Sequence, residues 1–133
     1  MNRVKRVLLD TNALLLPFSE KVDVFSEVSK LLEGKWIPLL LLESLEEILD
    51  KIARGKPSER RAFRSALRFI DGCVLVKGEP WPPSVDAKIL AYAASNRCIV
   101  LTNDRELRRK LRRMGVPCMY YRESRRGLES DTP

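Results

Sequence analysis

The sequence predicts an α/β protein with three layers, helices covering both faces of a mainly parallel sheet of about five strands. Two observations carry this. The strand candidates are short continuous apolar runs, as expected of strands buried on both faces. They alternate with segments of helical periodicity over short connections, the pattern of repeated βαβ units. A chain of 133 residues, 44% hydrophobic and 32% charged, suits one globular domain. That domain is expected over residues 1–122, followed by a polar, aperiodic tail over 123–133 that should fray.

Each element has its own warrant. Val7-Leu8-Leu9 is a buried strand closed by Asp10-Thr11-Asn12, residue types that favour turns and helix starts. Val22, Phe25, Val28, Leu31 and Leu32 recur at helical spacing, and Gly34 follows where a C-terminal glycine is expected. Trp36-Ile37 is a second strand. Leu39 to Ile52 reads as a helix with Leu42, Leu45, Ile48, Leu49 and Ile52 on its apolar face. Gly55 to Ser58 breaks the chain, and Ser58 is expected to cap a helix reaching Ile70. Cys73 to Val76 is a third strand. The proline-rich loop Gly78 to Pro83 leads to Ser84, an N-cap candidate for a helix over Val85–Ala94. Cys98 to Leu101 is a fourth strand, closed by Thr102-Asn103-Asp104. A helix carrying Leu107, Leu111 and Met114 ends at Gly115, and Val116 to Tyr121 makes the fifth strand.

Composition excludes several chemistries. With no histidine, neither a Ser-His-Asp triad nor a His-bound zinc can form. Three scattered cysteines, Cys73, Cys98 and Cys118, are too few for a four-cysteine zinc site and read as buried free thiols. No charged-then-apolar leader opens the chain, since Asp10 interrupts the first apolar stretch. The longest apolar run, Trp36–Leu42, falls far short of the roughly 20 residues of a membrane span. A cytoplasmic protein with no membrane partner is therefore expected. The net charge of +7 is concentrated: residues 97–126 hold ten Lys/Arg against three acids, while the rest of the chain is balanced.

Three acids fall where open α/β sheets gather function, beyond the carboxyl ends of the strands. Asp10 follows strand one, Asp86 opens the helix after strand three, and Asp104 follows strand four. Each alone is read first as a helix-capping or dipole-favoured residue. Together they would repel one another unless a cation holds them. In a histidine-free chain that cation would be a hard, oxygen-loving ion, Mg2+ or Mn2+.

The stretches VLLDTNALLLPF (Val7–Phe18), SVDAKILAYAA (Ser84–Ala94) and IVLTNDRELRRKLRRMGVPCMYY (Ile99–Tyr121) resemble the three signature blocks of the PIN-domain ribonucleases. Leu14 to Phe18 and the basic helix with its Tyr-Tyr ending look closest to archaeal relatives of the nuclease that processes small-subunit ribosomal RNA. VapC-type toxins share the blocks but usually lack that ending. The resemblance implies a PIN-like fold and a metal-dependent endoribonuclease acting on ribosomal RNA or its precursors. It further implies metal ligation by Asp10, Asp86 and Asp104, with Asn12 shaping the turn and Thr102 lining the site. The family's second acid precedes a leucine early in the helix after strand two. Here this chain has Ser44, with Glu43 one position earlier, about 100° around a helix. Glu43 replaces the missing carboxylate only if the helix start is shifted; Glu47, one turn on, is the weaker substitute. Ser44 therefore supports a second reading, a non-catalytic scaffold binding RNA or ribosome-assembly proteins. A third is a VapC-like toxin with an antitoxin partner. The resemblance also permits a homodimer.

The basic residues carry two readings. Arg105, Arg108, Arg109, Arg112 and Arg113 share one helix, and Arg122, Arg125 and Arg126 extend the set. They form either a solvated outer face or an RNA-phosphate-binding surface. Arg54, Lys56, Arg60, Arg61, Arg64 and Arg68 form a second set around the third helix, readable as solubilising. Trp81 either stacks on a base or packs beneath its loop.

Overall fold

The first strand, β1 (Lys5–Leu9), ends in Val7, Leu8 and Leu9, all wholly buried in a computed structural model that describes residues 3–131. A 3-10 turn over Thr11–Leu15 and a four-residue helix α1 (Leu16–Ser19) follow. Helix α2 (Val24–Leu32) is capped by the Asp23 carboxylate, which accepts from Ser26 N–H. Strand β2 (Trp36–Leu41) runs four residues further than the sequence indicates, and helix α3 (Leu42–Arg54) begins three residues later. The cause is register. Leu39, Leu40 and Leu41 pair with β3 (Val74–Val76), so all three are buried as strand residues. The buried face of α3 is accordingly Ser44 and Ile48, with Leu45 and Ile52 packed beside them, while Leu42 and Leu49 are exposed.

Helix α4 (Pro57–Ile70) starts on a proline, whose missing N–H costs nothing there. Ser58 does not cap it; the cap position is Lys56, whose N–H donates to Glu59. After β3, helix α5 (Val85–Asn96) is capped by the Ser84 hydroxyl as its sequence indicates. Strand β4 (Ile99–Leu101), helix α6 (Arg105–Arg113) and strand β5 (Cys118–Arg122) complete the alternation.

One further element corrects the expected tail. Residues 127–131 form β6 (Gly127–Asp131), antiparallel to β5, giving a six-stranded sheet of order β3-β2-β1-β4-β5-β6. Leu128 is buried, its N–H donates to Glu27, and the Glu129 carboxylate is gripped by Arg122 at 2.8 Å and Arg125 at 3.1 Å. Among the described residues, 127–131 therefore belong to the sheet.

The core divides into two apolar clusters on opposite faces of the sheet. Val7, Leu9, Leu40, Leu101 and Met119 point to the face covered by α1 to α4, and Leu8, Leu39, Leu41, Val100 and Cys118 to the face under α5 and α6. This is the expected three-layer arrangement. Cys98 and Cys118 are buried free thiols, and Cys73 is half-buried. Among the described residues, no helix is long and apolar enough to cross a membrane.

Candidate functional site

Strand β1 lies between β2 and β4, and the chain order runs outward in opposite directions from there. A cleft at the carboxyl ends of β1 and β4 is what such a reversal creates. Asp10 stands at that point, 5% exposed, with its own N–H donating to the Leu101 carbonyl at 3.0 Å. Its Oδ1 accepts from Thr11 N–H at 2.8 Å and its Oδ2 from the Thr102 hydroxyl at 2.7 Å. Burial raises its pKa to about 6; the Thr102 hydrogen bond opposes the rise, and the charges of Asp86 and Asp104 add to it. The groups acting on Asp10 thus include two other carboxylates and no cation.

Thr102 connects two acids. While donating to Asp10, its hydroxyl accepts from Asp104 N–H at 3.0 Å. Asp104 is the N-cap of α6: its Oδ1 accepts from Glu106 N–H at 2.9 Å and Leu107 N–H at 3.1 Å. Asp86, in the first turn of α5, has its pKa raised by burial and then by Asp104, with Lys110 of α6 opposing. The three aspartates therefore feel one another's charge. Among the described residues, no three Asp, Glu or Cys side chains already stand grouped to hold a metal ion, so the arrangement is open.

The glutamates separate. Glu43 is engaged elsewhere: its Oε1 accepts from Gly78 N–H at 3.0 Å and its Oε2 lies 3.9 Å from Lys88 Nζ. Ser44 is fully buried with its hydroxyl unpartnered, so that position points into the core. Glu47, one turn beyond Glu43, lines a groove of about 410 Å3 with Thr11, Asn12 and Lys51. Asn12 is thus exposed on the groove wall beside the turn that follows Asp10, and the hydroxyl of neighbouring Thr11 is buried without a hydrogen-bond partner.

The arginines are not equivalent. Arg112 is bound to Asp131 at 2.6 Å, and Arg122 to Glu129. Arg108 stacks over the Tyr120 ring at 3.9 Å. Arg105, Arg109 and Arg113 make no ion pair among the described residues and are exposed. Arg105 and Arg108 also line a cleft of about 530 Å3 with Asn103, Tyr120, Tyr121 and Arg122, immediately beside Asp104.

Two participants escape sequence reasoning. Asn103 Oδ1 accepts from Tyr121 N–H at 2.7 Å, tying the turn before α6 to β5. Lys88 is buried, although nothing but its solitary place beside the apolar run Ile89-Leu90-Ala91 marks it.

A family of proteins described as a PIN-like domain matches residues 7–124, spanning all three aspartates and the basic helix. The chain belongs to the PIN-like domain family. Among curated relatives, ribonuclease VapC9 of Archaeoglobus fulgidus is 33% identical over 128 residues, 94% of this chain and 89% of the relative. Ribonuclease VapC4 of Methanocaldococcus jannaschii is 31% identical over 124 residues, 90% of this chain and 92% of the relative. The PIN-domain endonuclease Utp24 shares the fold with a TM-score of 0.79 at 21% identity, covering 96% of this chain and 92% of that one. The VapBC2 complex of Rickettsia felis, solved on a promoter DNA fragment, matches with a TM-score of 0.60 at 12% identity, over 82% of this chain and 92% of that one. In this chain the three aspartates at the carboxyl ends of β1 and β4 and the start of α5 influence one another's titration, and the exposed arginines of α6 follow directly after Asp104.

Proposed function

We propose that this PIN-domain protein is an endoribonuclease that cleaves a phosphodiester bond with the help of a divalent metal ion. The observation that carries the reading is Asp10, a carboxylate raised by burial and by two neighbouring carboxylates, with no cation among its partners. Burial of like charges is unfavourable, and a hard divalent cation is the ligand this donor set fits. Asp10, Asp86 and Asp104 would hold Mg2+ or Mn2+; Glu43 is engaged by Gly78 and Lys88, which leaves Glu47, on the groove beside Asn12, as the glutamate free to join them. When bound, such an ion lowers the pKa of water and stabilises charge developing on a phosphoryl group.

The chain's own residues have separable tasks. Thr102 fixes the orientation of Asp10 and, through Asp104 N–H, the start of α6. Asp104 commits Oδ1 to the helix cap, leaving Oδ2 for an ion. Arg105, Arg109 and Arg113 bind the RNA backbone along α6, and the cleft walled by Tyr120 and Tyr121 gives the strand its path. Ribosomal RNA or its precursor is the proposed substrate class, on the basic helix and on the resemblance of residues 14–18 and 99–121 to archaeal relatives of the nuclease that processes small-subunit ribosomal RNA. The test is cleavage of structured ribosomal RNA fragments with Mn2+ or Mg2+, wild type against Asp10→Asn. Loss of cleavage in the variant supports the reading; equal activity refutes it.

Two observations favour other roles. Ser44 and the engagement of Glu43 leave a thinner donor set, as a non-catalytic RNA-binding scaffold would have. Calorimetric titration with Mn2+ decides: binding excludes the inert scaffold. The VapC relatives favour a ribonuclease paired with an antitoxin, which co-purification with the product of an adjacent small gene would establish.

A further inference from the structure

The loop before α5 is held unusually firmly for an exposed segment. Lys88, buried on α5, donates through Nζ to the Glu79 carbonyl and to the Pro80 carbonyl, the latter at 3.1 Å. The same ammonium lies 3.9 Å from Glu43 Oε2, while Glu43 Oε1 accepts from Gly78 N–H at 3.0 Å. Gly78 fits because it lacks a side chain: a Cβ there would meet Glu43 Oε2 at 3.0 Å. Three carbonyl or amide groups of residues 78–80 are thereby fastened to α3 and α5. Pro80, Pro82 and Pro83 fix their own φ angles and remove most of the remaining freedom.

At the crest of this fastened loop sits Trp81, 78% exposed. Packing beneath the loop, one of the two readings its sequence allows, is therefore not its role. A large indole left in water on a rigid support has no folding rationale, since burial would have stabilised it. The loop runs on directly through Ser84 to Asp86, so five residues at most separate the ring from the acidic cleft, an outer span of about 18 Å. The ammonium of Lys110, on α6, lies near enough to Asp86 to oppose the rise in its pKa.

We infer that Trp81 is a preset stacking platform for an unpaired nucleobase of the RNA, held in place by the Glu43–Lys88 latch. The inference rests on the RNA reading above and specifies one subsite within it. Stacking on an indole reads no sequence but requires a splayed base, so the platform selects single-stranded over duplex RNA beside the cleavage point. Because the latch fixes the backbone that leads into Trp81 before binding, less ordering is left to oppose the contact.

The experiment is anisotropy titration, in chelator to prevent cleavage, of labelled oligouridylate, a duplex RNA of equal length and an abasic ribose-phosphate oligomer. Trp81→Ala, a surface change, is expected to weaken oligouridylate binding about 5- to 150-fold while leaving duplex and abasic binding unchanged. Trp81→Phe should restore much of the loss. Lys88→Met, which frees the loop, should weaken oligouridylate binding by a smaller factor with the same selectivity. Equal oligouridylate binding by Trp81→Ala and wild type, with wild type still binding RNA, overturns the inference and leaves the nuclease reading standing. Wild type that binds none of the three removes both. A change in sedimentation for Trp81→Ala, with RNA affinity intact, assigns the ring to a protein contact and likewise overturns the inference.

Discussion

Replacing Arg105, Arg109 and Arg113 together with alanine gives a quantitative test of the basic helix. These three are exposed and make no ion pair among the described residues, whereas Arg112 is neutralised by Asp131 at 2.6 Å. Each arginine that contacts a phosphate of single-stranded RNA contributes about 0.7 to the slope of log affinity against log salt. Three such contacts make the triple variant's slope shallower by about 2. Between roughly 50 and 200 mM salt, the wild type should then lose about 20-fold more affinity than the variant. Arg112→Ala alone should leave the slope nearly unchanged, because that charge is already engaged within the protein. The assay is anisotropy of a labelled oligouridylate across a salt series, without divalent metal. If the triple variant keeps the wild-type slope, or Arg112→Ala flattens it as much, the partition of the helix into free and committed arginines is wrong.

Other changes should move stability or metal binding. Asp10 binds its proton more tightly folded than unfolded, so this group's contribution falls as pH rises from about 4 through 6. In chelator at about pH 7.5, Asp10→Asn should therefore raise urea stability, by up to about 3 kcal/mol, and saturating Mn2+ should narrow the gap by stabilising only the wild type; a destabilised variant refutes the uncompensated charge. Leu128→Ala should cost about 2–3 kcal/mol in denaturant unfolding, since Leu128 is buried in the core; a cost near zero would mean β6 is not held. Glu47→Gln should weaken Mn2+ binding in calorimetry, and a neutral outcome would deny Glu47 a place beside Asp10. Burial pushes the Cys118 thiol up to about 11, so at about pH 8 it should resist iodoacetamide until urea unfolds the chain; rapid native alkylation would contradict its burial.

What the sequence discloses follows from which interactions are local. Strands β1, β4 and β5 are legible because Val7 to Leu9, Ile99 to Leu101 and Cys118-Met119 are apolar on both faces, a pattern needing no partner to interpret. Caps at Ser84 and Asp104 are equally local. The β2–α3 boundary is not legible, because Leu39 to Leu42 suit either element and only pairing with β3 decides among them. Strand β6 is hidden for a related reason. Gly127-Leu128-Glu129-Ser130-Asp131 holds one apolar residue, and its order comes from Arg112, Arg122, Arg125 and Glu27, distant in sequence or in reach. At the site, Asp10, Thr102 and Asp104 stand out as strand-end residues, and the hydrogen bonds of Thr102 link all three. The separation of Glu43 from Glu47 depends instead on what Lys88 and Gly78 do across the fold.

The antiparallel return of β6 has a practical consequence for handling this molecule. From Gly127, opposite Arg122, the strand descends until Asp131 lies level with Cys118, on the side from which β1 sets out at Lys5. The described chain thus enters and departs at the pole remote from the carboxylates. Tags, surface tethers or fused partners attached at either end would leave the cleft open to a large polynucleotide, and immobilisation through them would not bias a binding measurement.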